Sequence, residues 1–337
     1  HHLYDLASIT KIAATAPTLM YLFDKKKIKL NKRLRSYSSI FKSTDKKNLR
    51  IIDILTHQSR LFPWIPFYKN TLNEKGDLLE EVYSSQYSEI YSLEVAKNLF
   101  LQESFKDSVL NQVLQSKLLD KKEYKYSDLG FYLLHPIIES KISEPISTFV
   151  SDYFYTKIDA FRITYNPLEK FSLKMIVPTE MDKIWRKQLV QGYVHDQGAA
   201  LFGGVALHAG LFSNAIDLMK LMQLYLDDGI FDGQEIISKK ALSTFTHSPF
   251  TMQGNRRGIV FDKPSIDPLE EGPTCDSISF KSFGHSGWTG TMTWVDPSEE
   301  IVYVFLSNGR SFPDGKNVQL LQKNIRTNIQ KVIYNSI

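Results

Sequence analysis

The sequence has a single cysteine and no long apolar run. Cys275 cannot form a disulfide within the chain, and it excludes zinc or iron–sulfur sites built on several cysteines. The longest uncharged apolar stretch near the start, residues 12–23, is too short to cross a bilayer. The histidines show no metal-site spacing; His57 is interpreted as packing locally, and His195-Asp196 as a pair that orients a loop. The sequence therefore predicts no metal, no cofactor and no membrane-spanning segment.

An excess of charge of one sign is also missing. The 337 residues contain 41 Lys and Arg against 37 Asp and Glu, which leaves a net charge of +4. Nucleic-acid-binding proteins usually have a larger and more localised positive excess, so no nucleic-acid partner is expected. A hydrophobic content of 42% excludes disorder. The basic stretch 25–50 is interleaved with apolar residues and is interpreted as a solvated face.

The spacing of apolar residues divides the first two thirds of the chain into three parts. Residues 8–23 have helical spacing and are apolar around most of the surface, which predicts a buried helix bent at Pro17. Residues 51–160 are expected to form an all-helical region, and 161–199 a long functional loop without periodicity. The helices predicted within the helical region are 51–57, 93–100, 127–141 and 145–155.

The last third has the period of strands. Residues rich in β-branched and aromatic types predict four strands of an antiparallel meander, at 258–261, 278–283, 291–295 and 301–306. A helix is predicted to begin near Ser213 as its N-cap, and an amphipathic helix at 318–334 to pack on the sheet. This order indicates an α+β fold. We expect a single domain over 1–337, whose α/β part consists of 1–50 and 200–337.

Ser8 and Lys11 are three positions apart on the first predicted helix, so their side chains lie on one face within reach of each other. The same spacing occurs at Ser39 and Ser43, where the lysines are expected to be hydrated with ordinary pKa values. Lys11 alone is in a strongly apolar helix, where desolvation would favour the neutral amine that accepts a proton from a serine. The Ser8 N–H and the helix dipole would face a developing oxyanion.

Two further segments have residues suited to the same chemistry. Tyr126 begins another apolar helix, and a nearby ammonium would lower the pKa of its phenol so that it could transfer a proton; alternatively, Ser127 caps that helix beside a buried tyrosine. Residues 284–290 contain three glycines in seven positions. They predict either a substrate or oxyanion site, to which the backbone allows close approach, or a hairpin loop with glycine at positive φ.

In this order the three segments resemble the serine β-lactamase and penicillin-binding-protein superfamily, in its class C, esterase and D-aminopeptidase-like branch. Ser8-x-x-Lys11 opens the first buried helix, Tyr126-Ser-Asp128 begins a later helix, and His285-Ser-Gly lies beside a strand. The resemblance covers nearly the whole chain. It extends to residues 4–7, 55–59, 203–206 and 209–213.

The resemblance implies a β-lactamase/transpeptidase-like fold, with an antiparallel sheet flanked by helices, and an acyl-serine mechanism. Ser8 would attack a carbonyl carbon while Lys11 and Tyr126 transfer the proton of its hydroxyl. The backbone N–H groups of Ser8 and Trp288 would bind the oxyanion. The residues implied to contact the substrate, or to support the tyrosine, are Asp128, His285, Ser286 and Gly287. The segment 161–199 would be an active-site loop.

Three positions depart from the pattern of many relatives. His285 replaces a lysine, and a neutral imidazole recognises a substrate carboxylate more weakly, which favours ester or peptide hydrolysis over β-lactam turnover. Asp128 replaces an asparagine, so an ionised group that only accepts hydrogen bonds stands where an amide both donates and accepts. Arg60 stands where a glycine often follows the segment 55–59.

The expected activity is hydrolysis of a small ester, an amide or a peptidoglycan-type D-amino-acid peptide. A catalytically silent or penicillin-binding accessory module with the same fold is the alternative. Relatives often belong to the bacterial periplasm or cell envelope, and some are fused behind a glycoside hydrolase. Relatives also have a helix and strands ahead of the nucleophile, so N-terminal strands are expected to be missing here. The sequence leaves open whether a fused domain lies upstream.

Overall fold

The computed structural model describes residues 2–267 and 271–337. The α-helices are α1 (Ala16–Asp24), α2 (Ile51–Leu55), α3 (Phe105–Gln115), α4 (Leu129–Ile142), α5 (Ile146–Val150), α6 (Gln197–Leu201), α7 (Ala215–Leu226), α8 (Lys239–Thr246), α9 (Gln319–Gln322) and α10 (Ile325–Tyr334). The strands are β1 (Tyr4–Asp5), β2 (Tyr83–Ser84), β3 (Leu93–Ala96), β4 (Leu99–Leu101), β5 (Glu180–Asp182), β6 (Gln188–Val190), β7 (Phe212–Ser213), β8 (Ile230–Phe231), β9 (Gln234–Glu235), β10 (Phe283–Ser286), β11 (Met292–Asp296) and β12 (Ile301–Phe305). Helices combined with small antiparallel sheets confirm the α+β class. Within the described residues, no helix is both long and apolar enough to cross a membrane.

The first buried helical segment is not one regular α-helix. A 3₁₀ turn (Ala7–Ile9) and a π-helix (Lys11–Thr15) precede α1. Pro17 lies in the first turn of α1. Proline has no N–H to donate to the preceding turn, and the main-chain oxygen of Ala13 instead accepts the hydroxyl of Tyr155 at 3.0 Å. The segment is buried along almost its whole length, as predicted for a helix at the centre of the fold.

The strands β10, β11 and β12 form an antiparallel meander with β11 in the middle. One face of this sheet packs with α7 on the main core, and the other covers a smaller apolar cluster that includes Tyr334 of α10. The strands predicted at 291–295 and 301–306 are confirmed as β11 and β12. The sheet therefore presents the end of β10 and the β10–β11 turn to the segment that follows β1.

The other two predicted strands are wrong. Residues 258–261 form no strand, although Asp262 makes an isolated antiparallel bridge with β10. Of the residues 278–283, only the last belongs to a strand. The hydroxyl and the N–H of Ser279 bind the Asp296 carboxylate at 2.5 and 2.9 Å, so local side-chain bonds replace a strand ladder here.

Two helix boundaries also differ from the prediction. The helix expected over 318–334 is divided into α9 and α10 by Asn324, which is in the left-handed region with φ +48°. The N-cap of α7 is Asn214, whose Oδ1 accepts the N–H of Asp217 at 2.8 Å. Ser213, which was the predicted cap, instead belongs to β7 and pairs with β1.

Residues 51–160 contain strands as well as helices. The helices predicted at 51–57, 127–141 and 145–155 are present as α2, α4 and α5. The helix predicted at 93–100 is wrong, because this segment is the β3–β4 hairpin, to which β2 adds a third strand. Asn98 has φ +55° in the tight turn, a conformation that asparagine tolerates and that ends a helix. Helix α3 was not predicted.

The segment 161–199 is largely irregular, as the sequence predicts, apart from the β5–β6 hairpin and short 3₁₀ turns. The Asp182 carboxylate accepts the N–H of Trp185 at 2.9 Å and the Nε–H of Arg186 at 3.0 Å. These bonds fix the hairpin turn with side chains rather than with a longer ladder.

One lysine of the basic stretch is not solvated. Lys46 is buried, forms an ion pair with Asp45 at 2.7 Å and donates to the main-chain oxygen of Ser116. The expectation of a hydrated Lys46 is therefore wrong. Phe41 and Leu49, which flank it, are themselves buried and bring the lysine onto the core.

Candidate active site

The turn that presents Ser8 follows β1 directly. Ala7 has φ +46°, which is uncommon for a residue with a side chain and costs free energy that the surrounding contacts must offset. The buried Asp5 carboxylate holds this turn, because its Oδ1 accepts the Ala7 N–H at 2.8 Å. Its Oδ2 accepts the N–H of His195 at 2.6 Å, which ties the turn to the end of the 161–199 segment.

The Lys11 ammonium donates two hydrogen bonds and forms one ion pair. Its Nζ lies 2.9 Å from Ser8 Oγ, 2.7 Å from Asp128 Oδ1 and 3.2 Å from the main-chain oxygen of His208. Burial lowers the pKa of Lys11, but the Asp128 carboxylate and Tyr126 raise it by more, so the net shift is upward. The prediction that desolvation keeps this amine neutral is wrong, because a carboxylate lies beside it.

Tyr126 reaches the same serine from the segment just before α4. Its hydroxyl donates to Ser8 Oγ at 3.0 Å. Its ring stacks on the imidazole of His57, with centroids 4.2 Å apart and an angle of 27° between the planes. The alternative prediction, Ser127 as the N-cap, is wrong, because the N-cap of α4 is Asp128. Ser127 Oγ nevertheless accepts the Leu129 N–H at 3.2 Å, just before the helix.

The protonation of Tyr126 also differs from the prediction. Burial raises the pKa of this phenol, and the Asp128 carboxylate adds to the rise, while the charges of Lys11 and Arg257 oppose it. The net direction is upward, so the predicted lowering is wrong and the residue is a neutral phenol near pH 7. In the resting site Lys11 and Tyr126 both donate to the Ser8 oxygen.

His285 lies on β10 with both ring nitrogens occupied. Its Nε2 lies 3.2 Å from Nη1 of Arg257, and because a guanidinium only donates, we assign the ring proton to Nδ1, 2.7 Å from the Ser286 oxygen. Burial, and then the charges of Arg257 and Lys11, lower the pKa of His285 well below its usual value. The ring centroid is 6.1 Å from that of Tyr126. His285 is thus a neutral side chain that flanks the tyrosine.

The β10–β11 turn lies directly against the residues that precede Ser8. A Cβ atom on Gly287 would come within 2.6 Å of the main-chain oxygen of Leu6, so only glycine fits there. The Thr289 hydroxyl donates to the main-chain oxygen of Asp5 at 2.8 Å. Gly290 has φ +117°, as expected for a hairpin glycine. The interpretation as a hairpin turn is therefore confirmed, and the substrate or oxyanion site stays a prediction.

The two predicted oxyanion donors lie on these two turns. Among the residues that the structure describes, neither the Ser8 N–H nor the Trp288 N–H has a hydrogen-bond acceptor. Ser286, at the end of β10, pairs with Met292 of β11 and precedes the turn. In the structure, Ser8, Lys11, Tyr126 and Asp128 are therefore in direct contact, and the β10–β11 turn lies beside them.

Arg257 is a site residue that the sequence analysis missed. Its guanidinium is buried, donates to His285, lies 5.2 Å from the Tyr126 ring centroid and pairs with Asp262 at 3.3 Å. Burial lowers its pKa, but Asp262 and the neighbouring tyrosines raise it by more. No sequence motif marks Arg257, because His285 and Tyr126, which it contacts at the site, come from segments distant along the chain.

The remaining sequence candidates have structural contacts around this site. His195 Nε2 lies 3.1 Å from Glu180, whereas Asp196 accepts the N–H of Ala199 at the start of α6 and contacts His208 Nε2 at 3.1 Å. Arg60 has φ +66°, which explains why a glycine suits this position in relatives. Within the described residues, no group of three or more His, Cys, Asp or Glu side chains could hold a metal ion.

The sequence is similar to those of known proteins along most of its length. The family described as Beta-lactamase matches residues 1–324. A putative D-alanyl-D-alanine carboxypeptidase of Salmonella enteritidis is 31% identical over 329 residues, which cover 91% of this chain and 69% of that protein. A protein of the same description from Escherichia coli K12 is 30% identical with the same coverage.

Solved structures show the same fold at lower identity. A penicillin-binding protein from Bacillus halodurans has a TM-score of 0.62 at 14% identity, with 96% of this chain and 86% of that chain covered. EstCE1, described as a hydrolase with promiscuous acyltransferase activity, has a TM-score of 0.61 at 14% identity and covers 99% of this chain and 85% of its own. The chain therefore belongs to the Beta-lactamase family, within the superfamily of serine hydrolases that includes the β-lactamases and the penicillin-binding proteins.

Proposed function

We propose that this protein hydrolyses a small ester, an amide or a D-amino-acid peptide through an acyl intermediate on Ser8. The observation that carries the proposal is the convergence of Lys11 Nζ and Tyr126 Oη on Ser8 Oγ, at 2.9 and 3.0 Å. A serine becomes a nucleophile only when a group within hydrogen-bond reach accepts its proton. Lys11, which is fully buried, and Tyr126 can accept this proton once the pair has lost a proton of its own.

Acylation begins when the Lys11–Tyr126 pair loses one proton to solvent, since both groups donate in the resting site. The pair then accepts the proton of Ser8 Oγ while this oxygen bonds to the substrate carbonyl carbon. The electron pair of the C=O π bond moves to the oxygen, which the N–H groups of Ser8 and Trp288 stabilise, each by about 3 kcal/mol. The intermediate collapses, the leaving group departs with the proton held by the pair, and an ester of Ser8 remains.

Deacylation repeats these steps with water in place of the serine. The Lys11–Tyr126 pair removes a proton from a water molecule while the water oxygen bonds to the acyl carbon. The N–H groups of Ser8 and Trp288 stabilise the second oxyanion. The C–O bond to Ser8 then breaks, and Ser8 Oγ takes the proton from the pair. The products are a carboxylic acid and the free serine.

We assign different roles to Asp128 and His285 within this scheme. Asp128 contacts Lys11 at 2.7 Å, so its main effect is on the charge of that lysine rather than on the substrate. His285, held between Arg257 and the main-chain oxygen of Ser286, supports the position of Tyr126. Ser286 and Gly287 would contact the substrate.

The D-alanyl-D-alanine carboxypeptidase description of the relatives favours a peptide with a terminal D-alanine as the natural substrate. Such peptides belong to the bacterial cell wall, and we accordingly propose that the protein acts in the periplasm or cell envelope. The neutral state of His285 disfavours rapid β-lactam turnover, because the usual cation for the β-lactam carboxylate is missing at that position.

A substrate panel tests the function. The wild-type protein is expected to hydrolyse p-nitrophenyl acetate and to release D-alanine from an N-acetylated Lys-D-Ala-D-Ala peptide, with slower hydrolysis of nitrocefin. Product release is followed spectroscopically and by chromatography, and the intact mass is measured for an acyl adduct. An adduct without turnover would instead indicate a penicillin-binding accessory module. Absence of both adduct and turnover would contradict catalysis.

Asp128→Asn is expected to move the acid limb of the kcat/KM profile for p-nitrophenyl acetate to lower pH. In the wild type the carboxylate raises the pKa of Lys11, so the base forms only as pH rises through that elevated value. The amide retains the size but removes the charge, and Lys11 then loses its proton at lower pH. Asp120→Asn, at an exposed position, is the control. An unmoved acid limb, or a shift to higher pH, would refute this role.

A further inference from the structure

Helix α2 is followed by a histidine in a backbone conformation that favours glycine. The N–H of His57 donates to the main-chain oxygen of Ile54 at 3.1 Å, and the N–H of Gln58 donates to that of Asp53 at 2.8 Å. These two bonds close the helix end in a Schellman motif, whose left-handed residue is most often glycine. His57 has φ +56°, so a residue with a side chain occupies this position at a cost in free energy.

The imidazole of His57 is also buried with one nitrogen unpaired. The residue is 1% exposed, and its Nε2 has no hydrogen-bond partner among the described residues. An apolar side chain of similar shape would avoid the cost of burying this nitrogen. Burial, followed by the charges of Arg257 and Lys11, lowers the pKa of His57 well below its usual value, so the ring is neutral. Neither the helix end nor core packing therefore accounts for a histidine here.

His57 contacts the chain on both sides of Tyr126. Its main-chain oxygen accepts the Lys125 N–H at 2.7 Å. Its Nδ1 lies 3.2 Å from the nitrogen and 3.1 Å from the oxygen of the Ser127 main chain. Because this N–H has no other acceptor within the described part of the chain, we assign the lone pair to Nδ1 and the ring proton to Nε2. Between these two bonds, the imidazole stacks on the phenol ring with centroids 4.2 Å apart.

Tyr126 depends on such contacts because regular secondary structure does not hold it. Residues 124–127 belong to no helix or strand, and α4 begins only at Leu129. The phenol hydroxyl nevertheless has to lie at a defined place, 3.0 Å from Ser8 Oγ. A displacement of about 1 Å in a reacting group can lower a rate by about 100-fold. The contacts of His57 with this stretch therefore bear directly on the proton transfer.

We propose that His57 positions Tyr126 for proton transfer with Ser8, by accepting the Ser127 N–H and by stacking on the phenol ring. This role rests on the proposed function, in which the Lys11–Tyr126 pair accepts the proton of the serine. His57 takes no proton in this scheme. It is a positioning residue that acts through the tyrosine alone.

A double-mutant cycle with Tyr126→Phe tests this role. Two rates are measured, kcat/KM for p-nitrophenyl acetate and the formation of a fluorophosphonate adduct on Ser8. His57→Ala removes both the ring and the acceptor and is expected to lower the two rates by about 10- to 100-fold. When Tyr126→Phe has already removed the hydroxyl, the same substitution should change them by less than about threefold.

His57→Asn is the conservative variant. Asparagine tolerates the left-handed backbone, and its side-chain amide can accept the Ser127 N–H in place of Nδ1. It lacks the ring, so part of the positioning is lost. We expect His57→Asn to lower the two rates by less than about tenfold, and clearly less than His57→Ala does.

His135→Ala is the matched control, because this largely buried histidine packs against Phe202, with ring centroids 5.4 Å apart, and not against the tyrosine. It should change the rates by the same factor with and without Tyr126→Phe. Melting temperatures are measured for every variant, so that a loss of folded protein is recognised.

An effect of His57→Ala that vanishes in the Tyr126→Phe background, with partial rescue by His57→Asn, supports the positioning role. An effect of equal size in both backgrounds, or His57→Asn as slow as His57→Ala, overturns it and leaves His57 a role in folding alone. A wild-type protein that gives neither hydrolysis nor adduct would instead overturn the proposed function on which the role rests.

Discussion

Ser8→Ala is expected to lower kcat/KM for p-nitrophenyl acetate by roughly 10⁵- to 10⁶-fold and to abolish the acyl adduct. The Oγ atom removed is the one that receives both Lys11 Nζ and Tyr126 Oη, and no other hydroxyl shares these two contacts among the described residues. The oxyanion donors and the pocket remain, so any residual rate reflects binding and the N–H groups alone.

The matched control is Ser39→Ala. Ser39 also precedes a lysine by three positions, but it is exposed on the basic stretch, where Lys42 is exposed too. Labelling with a fluorophosphonate or a penicillin probe, followed by intact-mass measurement, should give one adduct in wild type and Ser39→Ala and none in Ser8→Ala. An adduct that survives in Ser8→Ala would place the nucleophile elsewhere.

Lys11→Met is expected to lower kcat/KM by about 10³- to 10⁴-fold, the contribution of a positioned proton-transfer group. It also leaves Asp128 without its ionic partner next to a buried aromatic surface. Removing one member of a fully buried pair costs about 3–5 kcal/mol; Asp128 is 19% exposed, so a smaller loss is expected. The melting temperature should therefore fall together with the activity.

Two further variants separate catalysis from stability. The double variant Lys11→Met with Asp128→Asn removes both charges, so it should recover much of the melting temperature while the activity stays low. Lys46→Met removes another buried lysine with an acidic partner, away from Ser8, and should lower stability with little effect on kcat/KM. Recovery of activity in the double variant would show that Lys11 is needed for folding rather than for proton transfer.

The proposed catalytic triplet could be found in the sequence because its signals are local. Ser8 and Lys11 are three positions apart, and Tyr126 begins an apolar helix, so helix geometry alone predicts where these side chains point. The meander strands β11 and β12 were likewise predictable from their alternating apolar residues. The order of the segments along the chain was enough for the family, which the match over residues 1–324 confirms.

The protonation states could not be predicted in this way, because they depend on contacts between distant segments. The sequence places Lys11 in an apolar helix, which by itself indicates a neutral amine, but the fold brings Asp128 to 2.7 Å and reverses the shift. Arg257 reaches His285 and the Tyr126 ring only through the tertiary structure. The error at 93–100 has a similar origin, since a short apolar run has no clear period until its turn residue is recognised.

Asp5 links three segments of the chain: the turn that contains Ser8, the 161–199 segment and the β10–β11 turn. One oxygen of its carboxylate holds Ala7, the other holds His195, and its main-chain oxygen receives Thr289. A displacement of the long segment at His195 cannot occur without straining the hydrogen bond that fixes the residue before Ser8. The position of the 161–199 segment at His195 is therefore linked, through this one residue, to the turn that contains Ser8 and to the turn that contains Trp288.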